Sequence, residues 1–120
     1  MMRPDHAVRV YLCATPVDMR KAINGLSILV EQALGLNFEE PAIFVFRGRN
    51  ATRIKLLYWE RNGFCLWQKR LEEGKFCWPR LSEDAPKTRV MTGEELNWLL
   101  DGFDVWRHPP HRKMLNRRVA

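Results

Sequence analysis

Seven positive side chains fall between Arg47 and Arg70 against a single acid, Glu60. Arg47, Arg49, Arg53, Lys55 and Arg70 lie at one end of the strands this stretch predicts, and cations at that density suit phosphate. An arginine fork matches two phosphate oxygens, and a lysine adds a compact point charge. A second basic block, with Arg112, Lys113, Arg117 and Arg118, closes the chain, and residues 106–120 contain no acid. These two blocks contribute about +6 and +5 to a net charge of +6, so the remaining residues are acidic by difference. Two basic blocks on an otherwise acidic chain point to a polyanionic partner such as nucleic acid. The competing reading is that each block is a solvated face.

Other chemistries find less support. Asp18, Glu31, Glu60 and Asp101 are the kind of carboxylates a two-metal nuclease brings together. Each also has a simpler role: Asp18 at a helix start, Glu31 on an exposed face, Glu60 in a turn, Asp101 near a helix end. No nucleophile elbow, P-loop or HExxH motif occurs. Cys13, Cys65 and Cys77 have no CxxC spacing, and His108 and His111 are separated by two prolines that forbid a regular helix. No metal or other cofactor is therefore expected. The absence of a signal peptide and of an apolar run near the roughly 18 residues a membrane span needs predicts a reduced, cytoplasmic protein. Trp59, Trp67 and Trp78 are candidates for base stacking, with Trp67 expected in the core and Trp59 on a more exposed face.

The elements that must position these residues can be read from periodicity. At 120 residues the chain fits one domain, taken as 1–104, followed by a basic, flexible tail over 105–120. Val8–Cys13 reads as a strand. A helix follows, with Thr15 as N-cap, Pro16 at its first position, Asp18 in the first turn, an apolar stripe from Met19 to Leu34, and Gly35 at its end. Gly25 in its middle is expected to mark close packing against a sheet. Between Ala42 and Pro79, apolar runs alternate with turns expected to place Gly or Asn at positive φ, the pattern of an antiparallel meander. Around Asn62-Gly63 the pairing parity puts Arg53, Lys55, Leu57 and Trp59 on one face with Phe64, Leu66, Gln68 and Arg70. Ile54, Leu56, Tyr58, Cys65 and Trp67 fall on the other, which reads as core. Like charges directly across a ladder cost stability unless a polyanion or an acid answers them. Phe76–Pro79 is expected to close the meander, and residues 80–90 to be a mobile connection. Thr92 and Glu95 form a capping box for a last helix, with Met91 as its staple and Gly102 near its end. The fold class is α+β: an antiparallel β-meander packed against one long helix, plus a short C-terminal capping helix.

TPVDMRKAINGL (15–26), FVFRGRNATRIKLLYWERNGFCLWQKRLEEGKFCWP (44–79) and TGEELNWLLDG (92–102) closely resemble the TnpB accessory proteins, the second open reading frame products of bacterial insertion-sequence family sixty-six. The resemblance covers about residues 8–104, with small departures at Ala22, Asn24 and Cys77. It implies a role in transposition beside a separate, larger transposase that carries the catalytic residues, so that transposase and other products of the same element are the expected partners. The resulting expectation is a non-catalytic accessory protein that binds nucleic acid, DNA foremost, through the basic sheet end and the tail. An adaptor docking onto the transposase is the alternative, and a metal-dependent nuclease a third reading.

Overall fold

Five runs rich in β-branched and aromatic residues pair into one sheet in the computed structural model, which describes residues 8–38, 41–79 and 86–106. The strands are β1 (Arg9–Cys13), β2 (Ala42–Arg47), β3 (Arg53–Glu60), β4 (Gly63–Arg70) and β5 (Thr88–Thr92), joined by helices α1 (Ile23–Ile28) and α2 (Gly93–Leu100). Their order across the sheet is β4-β3-β2-β1-β5. The β2–β3–β4 meander is antiparallel, with Arg53 opposite Arg70, Leu57 opposite Leu66 and Trp59 opposite Phe64, so the expected facing assignments hold. β1 instead runs parallel to β2, with α1 on the crossover between them, and β5 pairs antiparallel to the other side of β1. The fold is α+β with a mixed, mostly antiparallel sheet.

Both sheet faces are packed, because side chains alternate along each strand. On one face Val10, Leu12, Ile43, Val45, Ile54 and Leu56 meet Leu96, Leu99 and Leu100 of α2, together with Phe76 and Met91. On the other, Phe44, Phe46 and Leu57 meet Leu26 and Val30. The capping box at Thr92 forms as expected: its hydroxyl accepts from the Glu95 amide at 3.1 Å and the Glu95 carboxylate accepts from the Thr92 amide at 3.0 Å. Met91 shares a core cluster with Leu96, consistent with a staple.

Five expectations need correction. The long helix does not begin at Thr15: α1 has six residues and passes into a π-helical turn, Leu29–Ala33. Residues 14–22 are drawn into the sheet's periphery instead, where the Ala14 amide donates to the Lys87 carbonyl at 2.8 Å and the Val17 amide to the Arg47 carbonyl at 2.9 Å. These tertiary bonds outweigh a local capping signal worth about 1 kcal/mol. The nearest neighbour of a Cβ at Gly25 is the Lys21 side chain, at 3.3 Å, and not the sheet. No strand forms at Phe76–Pro79, whereas part of the expected mobile connection is β5, an edge strand whose one-sided burial at Met91 hid it among polar residues. Positive φ falls on Ala51 (55°) and Arg61 (53°), not on Gly48, Asn50, Asn62 or Gly63, while Gly74 takes it as expected (78°).

Candidate nucleic-acid interface

Three of the five sheet-end cations are exposed. Arg53 and Arg70 face each other directly across the β3–β4 ladder, and both are exposed. The 48–52 loop folds onto the same end, closed by the Gly48 amide donating to the Arg53 carbonyl (3.2 Å) and the Ala51 amide to the Gly48 carbonyl (3.1 Å), and it presents exposed Arg49. An acid partly answers this charge: an Arg70 amino group lies 3.3 Å from the Glu72 carboxylate. Both side chains of that pair are mostly exposed, so its contribution is small.

Arg47 and Lys55 have other work. Arg47 pairs with Ile54 and so projects to the α2 face. Its guanidinium lies 5.8 Å from the Trp78 ring centroid and donates to the Gly48 and Arg49 carbonyls at 3.4 and 3.3 Å. Burial pushes its pKa down from the ordinary arginine value. Lys55 is 8% exposed, and its ammonium donates to the Met19 carbonyl at 2.8 Å and the Lys21 carbonyl at 2.7 Å. Those are carbonyls a helix starting at Thr15 would turn toward the Ile23 and Gly25 amides. Lys55 therefore clamps the Asp18-Met19-Arg20-Lys21 loop onto the sheet and does not join the exposed cluster.

That clamp brings in cations the periodicity did not single out. Arg20 and Lys21 are exposed, and Met19 lies so close to Gly48 that a Cβ on Gly48 would stand 2.6 Å from Met19 Cγ. A side chain at 48 would force Met19 to move. The two loops border a cleft of about 580 Å³ lined by Pro16, Val17, Asp18, Met19 and Arg49. Asp18 is committed to Arg20 through bonds of 2.7–3.1 Å and a 2.9 Å bond from the Arg20 amide, and this hydrogen bonding lowers its pKa to about 2. The cue for Arg20 and Lys21 was present as the DMRK run, but reading it as a helix start hid its place beside the 48–52 loop.

At the opposite end of the hairpin, Trp59 is 45% exposed, as its face assignment suggested, while Trp67 and Trp78 pack against the core. Lys69 takes the α2 side and donates to the Leu100 carbonyl at 2.9 Å, favourable at a helix C-terminus. Trp106, expected in the tail, is anchored: its indole donates to the Cys77 carbonyl at 2.7 Å and Arg89 stacks over its ring at 4.9 Å. Arg112, Lys113, Arg117, Arg118, His108 and His111 lie outside the described residues. Among the described residues, no group of three or more His, Cys, Asp or Glu side chains is placed to hold a metal ion, and no helix is long and apolar enough to cross a membrane.

A family model described as IS66 Orf2 like protein matches residues 8–110. The chain belongs to this family. Curated relatives include uncharacterized protein y4hO of Sinorhizobium fredii, 36% identical over 109 residues and covering 91% of each chain. Another is uncharacterized protein y4jC of the same organism, 36% identical over 107 residues and covering 89% of each. No solved structure matches the chain. Membership makes this an insertion-sequence-associated accessory protein, and the match extends past Trp106, in keeping with that residue's place in the packed domain.

Proposed function

We propose that this IS66 Orf2-like protein is a non-catalytic accessory of transposition that binds nucleic acid through the basic end of its sheet, acting in the cytoplasm beside a separate transposase. The observation that carries the reading is the Arg53–Arg70 juxtaposition: two exposed guanidinium groups directly opposite on one ladder, with Arg49 beside them and, among the described residues, only Glu72 paired with them. Such placement costs stability in the free protein, and a polyanion relieves the cost. Arg20 and Lys21 widen the surface, and residues 107–120 add five further arginine and lysine charges to the chain. Binding through phosphates falls linearly with log salt, with a slope of about 0.9 per phosphate neutralised on duplex DNA. Gel-shift titrations of element-end DNA at several salt concentrations test this. The R49Q/R53Q/R70Q variant should bind more weakly and lose roughly two to three from that slope; an unchanged slope refutes the proposal.

An adaptor role toward the transposase is the second reading, favoured by the exposed Trp59. Association that survives nuclease treatment of the lysate supports it over a DNA-bridged complex.

A further inference from the structure

The exposed tryptophan at the hairpin tip has a defined setting. Trp59 meets Phe64 edge-to-face, with centroids 5.0 Å apart and planes at 86°. Behind Phe64 stands Phe38 at 4.8 Å, and behind that Phe44 at 4.9 Å and Tyr11 at 5.4 Å. This aromatic chain runs across the sheet from β1 to β4 and ends on the one member that is exposed. The Trp59 indole N–H donates to the Arg61 carbonyl at 3.1 Å, and Arg61 itself is held at a φ of 53°. Its ring is thus fixed from two sides. An edge-to-face contact covers at most one face of an indole, and Trp59 keeps 45% of its surface exposed.

Alternation places Trp59 on the same sheet face as Arg53 and Arg70. The six residue steps from Arg53 to Trp59 span about 20 Å. Directly between them on β3, Lys55 and Leu57 are buried; beside these, on the edge strand β4, lie half-buried Phe64 and Leu66, packed against the cluster of Leu26 and Val30, then exposed Gln68. Cations stand at both ends of this strip: Arg53 and Arg70 at one, exposed Arg61 at the other, with Glu60 as the acid at the tip. A fixed aromatic face within a cation-flanked strip suits a ligand that carries both negative charge and flat π-surfaces. A duplex supplies the charge but keeps its base faces stacked inside; an unpaired strand supplies both.

We propose that the strip from Arg53 and Arg70 to Trp59 is a single-strand binding track, in which the arginines hold phosphates and Trp59 stacks on an unpaired base. The proposal rests on the nucleic-acid reading above and names the state of the nucleic acid that reading leaves open. Single-stranded oligonucleotides and the matching duplex should be titrated against wild type, Trp59→Phe, Trp59→Leu and R53Q/R70Q, with tryptophan fluorescence and gel shift as readouts. Leucine keeps the apolar contact with Phe64 without a π-face, and phenylalanine keeps a smaller one; melting curves establish that each variant folds. The track predicts that single strands quench the wild-type emission and that this change disappears in Trp59→Phe. Single-strand affinity should fall in the order Trp, Phe, Leu, by about tenfold for leucine, with duplex affinity unchanged. Equal losses for both ligands, no loss with either, or a Trp59→Leu effect confined to self-association or transposase binding overturns it. R53Q/R70Q separates the two proposals: if those arginines matter and Trp59 does not, the track fails while the broader reading stands, and if neither matters both fail.

Discussion

The two faces of the sheet are covered by different means. The α2 face is closed by a regular eight-residue helix with a reciprocal cap, buried leucines at 96, 99 and 100, and Lys69 on its last carbonyl. The α1 face is closed by a six-residue helix, a π-helical turn and an irregular loop, whose shape depends on a buried ammonium bonded to two carbonyls. Irregular backbone leaves donors and acceptors that a helix or ladder would satisfy internally, so other groups must reach in to pair them. The regular face is held by local propensity and apolar packing. The irregular face is held by side chains from distant strands, and it is the one that carries Arg53 and Arg70 of the candidate site.

Breaking the regular face should cost the most. Leu99→Ala, at a fully buried position, should destabilise by about 2–5 kcal/mol in urea unfolding, while the folded fraction keeps its salt slope for DNA. Lys55→Met attacks the irregular face. It retains the apolar stem but leaves the Met19 and Lys21 carbonyls without their partner, at a cost of about 1–3 kcal/mol. Unlike the leucine change, it should speed hydrogen exchange in residues 19–22 and reduce the salt slope, because Arg20 and Lys21 lose their placement. If exchange in that loop is unchanged, the clamp does not hold it. Gly48→Ala forces a Cβ against Met19 Cγ and should cost about 1–3 kcal/mol; combining it with Met19→Ala should recover much of this, and purely additive effects would show that the contact is not what demands glycine. Thr92→Ala removes one half of the capping box and should cost about 1 kcal/mol, with no effect on binding. The smallest change concerns Asp18. Its carboxyl sits at about 2 because Arg20 hydrogen-bonds to it, so the pairing contributes in full above the ordinary carboxylate range and is lost as pH falls through about 2. Arg20→Ala should return the Asp18 titration toward about 3.9, followed through its carboxyl carbon shift in NMR.

What the sequence made legible follows the same division. The α2 face could be read because its determinants are close in sequence: Thr92 with Glu95, Met91 with Leu96, and the leucine stripe. The hairpin register was equally readable, since alternation around Asn62-Gly63 admits one parity. The helix at Thr15–Gly35 was misread because its cap competes with partners far away, Lys87, Arg47 and Lys55, which only the fold brings near. β5 was missed for a related reason: its pairing with β1 is non-local, and its sequence alternates too weakly to announce it. Within the candidate site, exposure at Arg49, Arg53 and Arg70 agreed with their position at the sheet end. Arg47 and Lys55 differ from them not in charge or spacing but in which carbonyls lie within reach.

The position of β1 between β2 and β5 sets the order of synthesis against the order of assembly. The meander is joined by connections of five and two residues, 48–52 and 61–62, and such short closures form early. β1 leaves the ribosome before any of its neighbours, yet its parallel partner lies beyond a long crossover and its antiparallel partner is the last strand among the described residues. Until Thr88–Thr92 has emerged, Val10 and Leu12 belong to a strand with one side open, and a nascent chain halted before that point presents an unpaired apolar edge to whatever surrounds it. The same few residues that finish the sheet also carry Thr92, the cap of α2, so closure of the edge and nucleation of the last helix fall within one short stretch of translation.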